Sequence, residues 1–155
     1  MQYGIGSIVL LERIIFKSTY RNGEVISKFS SDHSYSRPVM IIAEDSENTY
    51  FLPVTTKKCI NFKKIKNNYP IGNIDSRNSY VCLGSIQKRN VCYREEIARL
   101  KPEVLLRVLQ EFCEFQETTN LDPEYNEIKE LIYEKINELN DDVYKKTKKL
   151  IRLKK

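Results

Sequence analysis

The apolar residues of this chain change their spacing at Leu100, and that change limits the fold more than any other feature of the sequence. Before Leu100, short runs rich in β-branched and aromatic residues alternate with polar segments, which is typical of strands. After it, apolar residues recur three or four positions apart, which is typical of helices with one buried face. The sequence therefore predicts an α+β protein with a single domain, residues 1–155, comprising a β-rich core over 1–100 and a helical part over 101–155.

Several stretches of the β-rich part are expected to form strands. They are IGSIVLLERIIF, a hairpin of PVMIIA and NTYFLPV across the turn EDSEN, SYVCLGSI with a bulge at Gly84, and VCYREEI, which is a last strand or the lead into a helix. A long polar loop, Lys17–Ser36, lies before the hairpin, and Asn22-Gly23 favours a tight turn within it. Loops of this length are usually functional or disordered, so we treat this one as a candidate active-site loop.

Helix starts are marked by proline in the second part of the chain. Pro102 and the pair Asp122-Pro123 suit a first helical turn and predict two helices. Asn140 or Asp141 is expected to cap a third, basic helix. The apolar stripes are interpreted as core contacts rather than as a cofactor site.

Composition excludes several classes of protein. No run approaches the roughly 20 apolar residues of a membrane span, and the N-terminal apolar run lacks a basic lead, so it predicts a first strand rather than a signal peptide. The four cysteines are widely spaced and contain no C-x-x-C pair, and the chain has a single histidine, His33, so neither a zinc site nor a cofactor is expected. Reduced thiols fit a cytoplasmic protein.

The charge of the chain is unevenly distributed. The net charge is +5, but the segment KKCINFKKIK, Lys57–Lys66, has five lysines and no acid, and the tail Lys145–Lys155 has seven basic residues and no acid. Phe62 and Tyr69 lie near the first cluster, and basic residues interleaved with aromatic ones favour a nucleic-acid groove. A solvated surface loop is the alternative for any one lysine, so the prediction depends on the cluster.

The segment SRPVMIIAEDSENTYFLPVTTKK carries the residue types that metal-free RNA cleavage requires. In that reaction the 2′-hydroxyl of the substrate attacks the phosphorus, and the protein aligns it, stabilises the charged phosphorane and moves protons. Arg37 offers a bidentate clamp for phosphate oxygens, threonines offer hydroxyl donors, and lysine offers a point charge. His33 suits a general acid or base near neutral pH. Ser/His/Asp catalysis is not expected, because Asp32 and His33 are adjacent and point apart on a strand.

The same segment resembles the MazF/PemK family of toxins, which are sequence-selective endoribonucleases. The resemblance covers about residues 4 to 115 and is carried by Gly6-Ser7-Ile8-Val9, Arg37-Pro38-Val39, Pro53-Val54-Thr55-Thr56 and the segment SYVCLGSIQKRNVCYREEIARL. An acidic residue commonly precedes the arginine in the family, and Asp32 takes that place. The resemblance implies a small, strongly curved antiparallel sheet of SH3-like barrel type, flanked by C-terminal helices.

Two features are more similar to the ToxN/CptN branch, the toxins of type III toxin–antitoxin systems. The chain continues for about 40 residues past the first C-terminal helix, and Thr55-Thr56 is followed directly by Lys57-Lys58. The resemblance then implies a toxin that cleaves cellular mRNA, leaves 2′,3′-cyclic phosphate and 5′-hydroxyl ends, and is inhibited by a small structured RNA antitoxin. Such toxins process that RNA into repeat units and stay bound to them in closed assemblies.

The site residues expected on these grounds fall into two groups. The catalytic candidates are Arg37, Thr55, Thr56, Lys58 and His33. The candidates for RNA binding are Asp32, Lys28, Ser36, Lys57, Lys63, Lys64, Lys66 and Tyr69. No metal ligand is expected.

For some of these residues a purely structural role stays open at this point, and so do other functions for the protein. Arg37 is alternatively a surface residue paired with Glu44, and His33 a solvated loop residue. The alternative functions are a MazF-type toxin with a protein antitoxin, a gyrase poison of the CcdB type, and a non-catalytic RNA-binding module. The gyrase poisons rely on a C-terminal Trp-Gly-Ile, and this chain has no tryptophan.

Overall fold

The fold was analysed in a computed structural model that describes residues 4–12, 14, 19–21, 24–27, 36–56, 61–62, 65–66, 68–90, 95–119 and 123–153. Strands occupy most of the chain before residue 100, and two helices follow. The strands are β1 Ser7–Leu11, β2 Thr19–Arg21, β3 Glu24–Ser27, β4 Arg37–Glu44, β5 Asn48–Thr55, β6 Asn61–Phe62, β7 Ile65–Lys66, β8 Asn68–Ile74, β9 Arg77–Cys82, β10 Gln87–Asn90 and β11 Glu96–Arg99. The helices are α1 Pro102–Thr119 and α2 Pro123–Leu153. The predicted α+β class is confirmed.

Antiparallel pairing joins seven of the strands into a curled half-barrel. The order across the sheet is β11-β1-β4-β5-β9-β8, and β10 also pairs with β5. β5 changes partner along its length: Asn48 to Phe51 pair with β10, whereas Val54 and Thr55 pair with β9. This change of partner brings β8 and β9 round to the end of β5, where the groove described below lies.

The predicted hairpin of β4 and β5 is confirmed. Asp45 closes its turn, because one carboxylate oxygen accepts hydrogen bonds from the backbone N–H groups of Glu47 at 2.8 Å and Asn48 at 2.6 Å. Both bonds stabilise the ionised carboxylate and lower the pKa of Asp45. The turn at Asp45 therefore closes one end of the hairpin, and Arg37 and Thr55 lie at the other, open end.

Alternate residues of β4 enter two apolar clusters, one on each face of the sheet. Met40 and Ile42 belong to the larger cluster, which also contains buried residues of both helices. Val39 and Ile41 belong to a smaller cluster with Phe51 and Cys82. Because successive side chains of a strand point to opposite faces, a continuous apolar run such as PVMIIA indicates burial on both faces.

The two helices pack against each other and against the sheet. Phe112 of α1 meets Tyr125 of α2 edge-on, with ring centroids 5.5 Å apart. The expected third helix is wrong: α2 runs unbroken through Asn140 and Asp141, both exposed. Asn and Asp lower helix stability by only about 0.7 kcal/mol each relative to alanine, and no glycine or proline interrupts the segment. Neither helix of the described chain is long and apolar enough to cross a membrane.

Other expectations are corrected in detail. The strand expected over SYVCLGSI ends at Cys82, and Gly84 lies in the turn that follows it. VCYREEI contributes to a strand, β11, rather than to a helix, although its first residues, 91–94, are outside the described range. The loop Lys17–Ser36 contains a short hairpin in which Arg21 of β2 pairs with Glu24 of β3; Asn22-Gly23, the expected turn, lies outside the described residues.

Candidate functional site

A groove of about 530 Å³ opens at the end of the sheet where β4 begins, β5 ends and β8 turns into β9. Its polar lining residues are Ser36, Arg37, Thr55, Thr56, Asp75, Arg77 and Ser79. Its apolar lining residues are Leu10, Pro38, Val54, Ile74 and Ile97. The fold thus brings together one arginine, two threonines and one serine that the sequence predicted as site residues, although two strands and a turn separate them along the chain.

Arg37 is held at the start of β4 and is half-buried. Its backbone pairs with Leu11 of β1, which fixes the strand end. Burial raises the pKa of the Cys82 thiol to about 12, and the positive charge of Arg37 opposes that rise, so the guanidinium lies within electrostatic range of Cys82. A pair with Glu44 is excluded, because Glu44 is at the other end of an eight-residue strand, roughly 20 Å away.

Thr55 and Thr56 are held at the end of β5. Thr55 is half-buried and pairs with Tyr80 of β9, whereas Thr56 is exposed and follows the last strand residue. Successive residues of a regular strand point to opposite faces. Both line the groove because the strand ends between them.

The second wall of the groove comes from the turn between β8 and β9. Ile74 pairs with Arg77, so the turn has two central residues, Asp75 and Ser76, with φ of 51° and 65°. Two left-handed residues define the hairpin turn whose twist matches that of the strands. The turn places Asp75 and Arg77 on the lining of the groove.

The sequence reasoning missed Asp75 and Arg77. The usual signal for this turn is Asn-Gly or Asp-Gly, and this chain has Asp75-Ser76 instead. β8 itself contains Pro70 and Gly72, which argue against a strand unless it lies at a sheet edge, as β8 does. The only signal for this turn in the sequence is the pair Asp75-Ser76 itself, which lies between Ile74 and Arg77.

The charged and polar side chains of the groove suit an anionic ligand that also carries polar groups, such as a nucleic-acid backbone. Among its described lining residues, two arginines face one carboxylate, which leaves a formal charge of +1. Serine and threonine hydroxyls supply neutral donors and acceptors beside these charges. The apolar residues of the lining offer surface for the face of a base or sugar. Such a site can hold a phosphodiester through charge-assisted hydrogen bonds.

Tyr69 is not brought into this groove. It is half-buried on β8 and lines a separate pocket of about 210 Å³ between β8 and α1. The other lining residues of that pocket are Pro70, Ile71, Gly72, Val104 and Arg107. A contact between Tyr69 and RNA stays a prediction, and it would belong to this second pocket.

The remaining predicted site residues lie outside the described residues, so their contacts stay predictions. They are Lys28, Asp32, His33, Lys57, Lys58, Lys63 and Lys64, together with the side chain of Lys66, whose backbone belongs to β7. Lys57 and Lys58 directly follow Thr56, which is at the groove.

Two of the four cysteines can be described, and both are buried free thiols. Cys82 lies at the end of β9 and Cys113 in the middle of α1. Burial raises the pKa of both thiols. They are therefore protonated packing residues at neutral pH and not nucleophiles.

Comparisons with known proteins add no assignment: no model of a protein family matches the chain, and no curated protein matches it either.

Proposed function

We propose that this protein is a metal-independent endoribonuclease toxin that cleaves single-stranded RNA in the groove at the end of the sheet. The observation that carries the proposal is the convergence of Ser36, Arg37, Thr55 and Thr56 on one groove. Arg37, Thr55 and Thr56 are three of the five catalytic residues predicted from the sequence, and Ser36 is one of the predicted RNA-binding residues. The pairing of β4 with β5 makes these residues neighbours, and the support for the proposal is that an arginine and three hydroxyl side chains occupy these positions at an open groove.

The chemistry of the groove suits cleavage by the 2′-hydroxyl of the substrate. That oxygen attacks the phosphorus and loses its proton, and the bond from phosphorus to the 5′-oxygen breaks as the 5′-oxygen gains a proton. Arg37 stabilises the phosphorane oxygens by a bidentate contact, and Thr55 and Thr56 donate hydroxyl hydrogen bonds. The products are a 2′,3′-cyclic phosphate and a 5′-hydroxyl.

Proton transfer requires groups beyond the described lining. The two arginines stay protonated, and Asp75 is the remaining ionisable group among the described residues that line the groove. His33 and Lys58 are the proposed acid–base and charge-stabilising groups, since His33 precedes Arg37 by four residues and Lys58 follows Thr55 by three.

The finer class of the protein is proposed from the resemblance to the MazF/PemK and ToxN/CptN toxins. In this proposal the half-barrel is of the SH3-like type, and the protein works in the cytoplasm on mRNA. A small structured RNA acts as its antitoxin, is processed by it and stays bound in a higher-order assembly. The basic segment Lys57–Lys66 supplies the electrostatic attraction for both RNAs.

Incubation of the purified chain with mixed RNA in excess EDTA tests the activity. We expect discrete fragments whose 3′ ends resist ligation until the cyclic phosphate is removed, and whose 5′ ends accept phosphate from a kinase. An RNA that stays intact while binding tightly would leave a non-catalytic RNA-binding module. Binding to neither RNA nor its fragments would overturn the proposal.

A further inference from the structure

The turn between β8 and β9 carries an arginine whose role in the fold is small. Arg77 is exposed, and within the described part of the chain no ion pair joins it to a carboxylate. Its backbone is fixed independently of its side chain, because the carbonyl of Arg77 accepts a hydrogen bond from the Ser79 hydroxyl at 3.1 Å and because Arg77 pairs with Ile74.

The backbone of this turn holds two residues other than glycine in the left-handed region. Asp75 tolerates that region better than most residues, but Ser76 does not belong to the residue types enriched there. Strained backbone of this kind tends to occur where a side chain has to be positioned for function. In this protein the turn contributes Asp75 and Arg77 to the lining of the groove that also contains Arg37 and the threonines.

The size of the groove allows more than one phosphate group. Pockets that take up a whole small-molecule ligand have volumes of roughly 300–1,000 Å³, and this groove, at about 530 Å³, is within that range. Arg37 begins β4 and Arg77 begins β9, and β5 lies between these two strands in the sheet, so each arginine can contact a separate anionic group. Asp75 cancels one of the two positive charges, and without Arg77 the described lining would have no net charge.

We propose that Arg77 is a binding residue for the phosphate next to the scissile one, so that the groove grips two consecutive phosphates of a single RNA strand. This inference depends on the proposed function, because it assigns Arg37 to the scissile phosphate. Arg77 fixes the register of the strand in the groove and Arg37 acts on the reacting phosphate. The two arginines therefore differ in what their loss does: loss of Arg77 weakens binding, whereas loss of Arg37 slows the chemical step.

The test measures binding and cleavage separately. The binding probe is a fluorescein-labelled, single-stranded 2′-O-methyl RNA of mixed sequence, about twelve nucleotides long, which has no 2′-hydroxyl nucleophile. Arg77→Gln is expected to weaken its binding roughly tenfold, as for the loss of one charge-assisted contact, and to reduce the slope of log K against log salt by about one. Arg77→Lys restores part of the affinity.

Two matched variants separate this role from a general effect of charge. Lys101→Gln also removes one positive charge from an exposed residue, directly before α1 and outside the lining of both pockets, and leaves binding unchanged. Asp75→Asn keeps a residue that tolerates the left-handed turn, removes the repulsive charge, and is expected to tighten binding. Thermal unfolding of all variants checks that the turn is intact.

A phosphate scan locates the contact. In a cleavable RNA, single phosphates on either side of the mapped cleavage site are replaced by uncharged methylphosphonates. One of these replacements weakens binding to the wild type and has no further effect in Arg77→Gln, which is the result of a thermodynamic cycle for two groups in contact.

The outcomes for the two proposals are distinct. An unchanged affinity in Arg77→Gln, or an equal loss in Lys101→Gln, overturns the role of Arg77 whether or not RNA is cleaved. Failure of the wild type to cleave RNA overturns the proposed function, while the binding arm still decides whether Arg77 holds RNA. Absence of binding to the probe overturns the role of Arg77, and the cleavage assay alone then decides the proposed function.

Discussion

Arg37 begins β4 and Thr55 ends β5, and the antiparallel pairing of these two strands places both residues on the lining of one groove. Pairing of Val39 with Pro53 sets this register two residues further into the hairpin. A fixed cation and a fixed hydroxyl therefore face the same space without any loop having to order them. Preorganised donors are the usual source of stabilisation for a developing negative charge.

The first prediction concerns Arg37. Arg37→Ala is expected to reduce the single-turnover rate of RNA cleavage by a hundredfold or more, about 3 kcal/mol for one lost oxyanion donor. Arg37→Lys keeps the charge but loses the bidentate geometry, so its cleavage rate should lie between the rates of the wild type and Arg37→Ala. Because Arg37 is half-buried, the unfolding temperature of each variant must be measured beside the rate. Wild-type cleavage by a folded Arg37→Ala would remove this residue from the site.

The second prediction separates the two threonines. Thr55→Val removes a hydroxyl from a half-buried strand residue and keeps the shape of the side chain. We therefore expect the chemical step to be tenfold to hundredfold slower, which is at or below the low end of the effect of losing one oxyanion donor. Thr56→Val makes the same change at the exposed lining residue one position further on, and a smaller loss of rate is expected there. Single-turnover rates at saturating enzyme measure both. Equal rates in Thr55→Val and wild type would leave the threonine with only a structural role, since threonine favours strands.

The fold was predictable where local pattern and tertiary environment agree. PVMIIA and NTYFLPV read as buried strands and are β4 and β5, and Pro102 and Pro123 are at the helix starts that the sequence marks. β10 was not predictable: its sequence QKRN has no apolar residue and becomes a strand only because its backbone pairs with β5. The break expected near Asn140 failed because local capping residues do not end a helix without a competing backbone interaction.

The sequence predicted only the part of the site that the β4–β5 hairpin forms. Arg37, Thr55 and Thr56 lie at the open end of a hairpin of two consecutive strands, and the sequence pattern of both strands predicts that hairpin. Their convergence therefore follows from the pairing of β4 with β5. Arg77 comes from the far edge of the sheet, and its position depends on the order β5-β9-β8, which no local pattern encodes. Tyr69 has the residue type expected of a base-stacking contact, but its strand directs it to a pocket against α1.

The third prediction compares the two basic clusters. Charge reversal at Lys63 and Lys64 should weaken RNA binding more than the same change at Lys148 and Lys149, if the tail after residue 145 acts only as a solubilising end. Binding should also fall steeply with salt, because each neutralised phosphate releases counterions. Affinity measured from low to physiological salt tests both points. Equal losses would extend the RNA path over α2, and independence from salt would contradict any nucleic-acid partner.

The fourth prediction concerns the contact between the two helices. Tyr125 donates a hydrogen bond to Glu117 at 2.9 Å, and Tyr133 donates to the same carboxylate oxygen. These two bonds stabilise the ionised carboxylate and lower the pKa of Glu117. Because the folded-state pKa is depressed, the stabilisation is present above the unfolded-state pKa of about 4.3 and is lost as the pH falls through the folded value.

The corresponding variant is Glu117→Gln. At neutral pH it should lower the free energy of unfolding by no more than about 1 kcal/mol, since Glu117 is exposed. The deficit should shrink as the pH falls below about 4.3 and should be gone once the pH is below the lowered folded-state pKa. Urea unfolding at both pH values measures it. Glu114→Gln, at an exposed glutamate of the same helix, is the control and should show little difference at either pH. A deficit that persists in acid would mean that packing, not ionisation, is responsible.

The last prediction concerns His33, which lies outside the described residues and four positions before Arg37. If His33 is the general acid or base, the single-turnover cleavage rate should titrate near the ordinary pKa of an imidazole, about 6.5, and His33→Ala should flatten that limb of the profile. We favour this role because, of the residues close to Arg37 in the sequence, a histidine is the one that titrates in the physiological range without a perturbed pKa. If Arg37 and the threonines are sufficient, His33→Ala would change the affinity for RNA and leave the pH profile of the bound complex intact. A pH series on wild type and His33→Ala, at enzyme concentrations that saturate binding, distinguishes the two, and an unchanged profile in the variant would leave His33 as a binding residue or an ordinary residue of the loop.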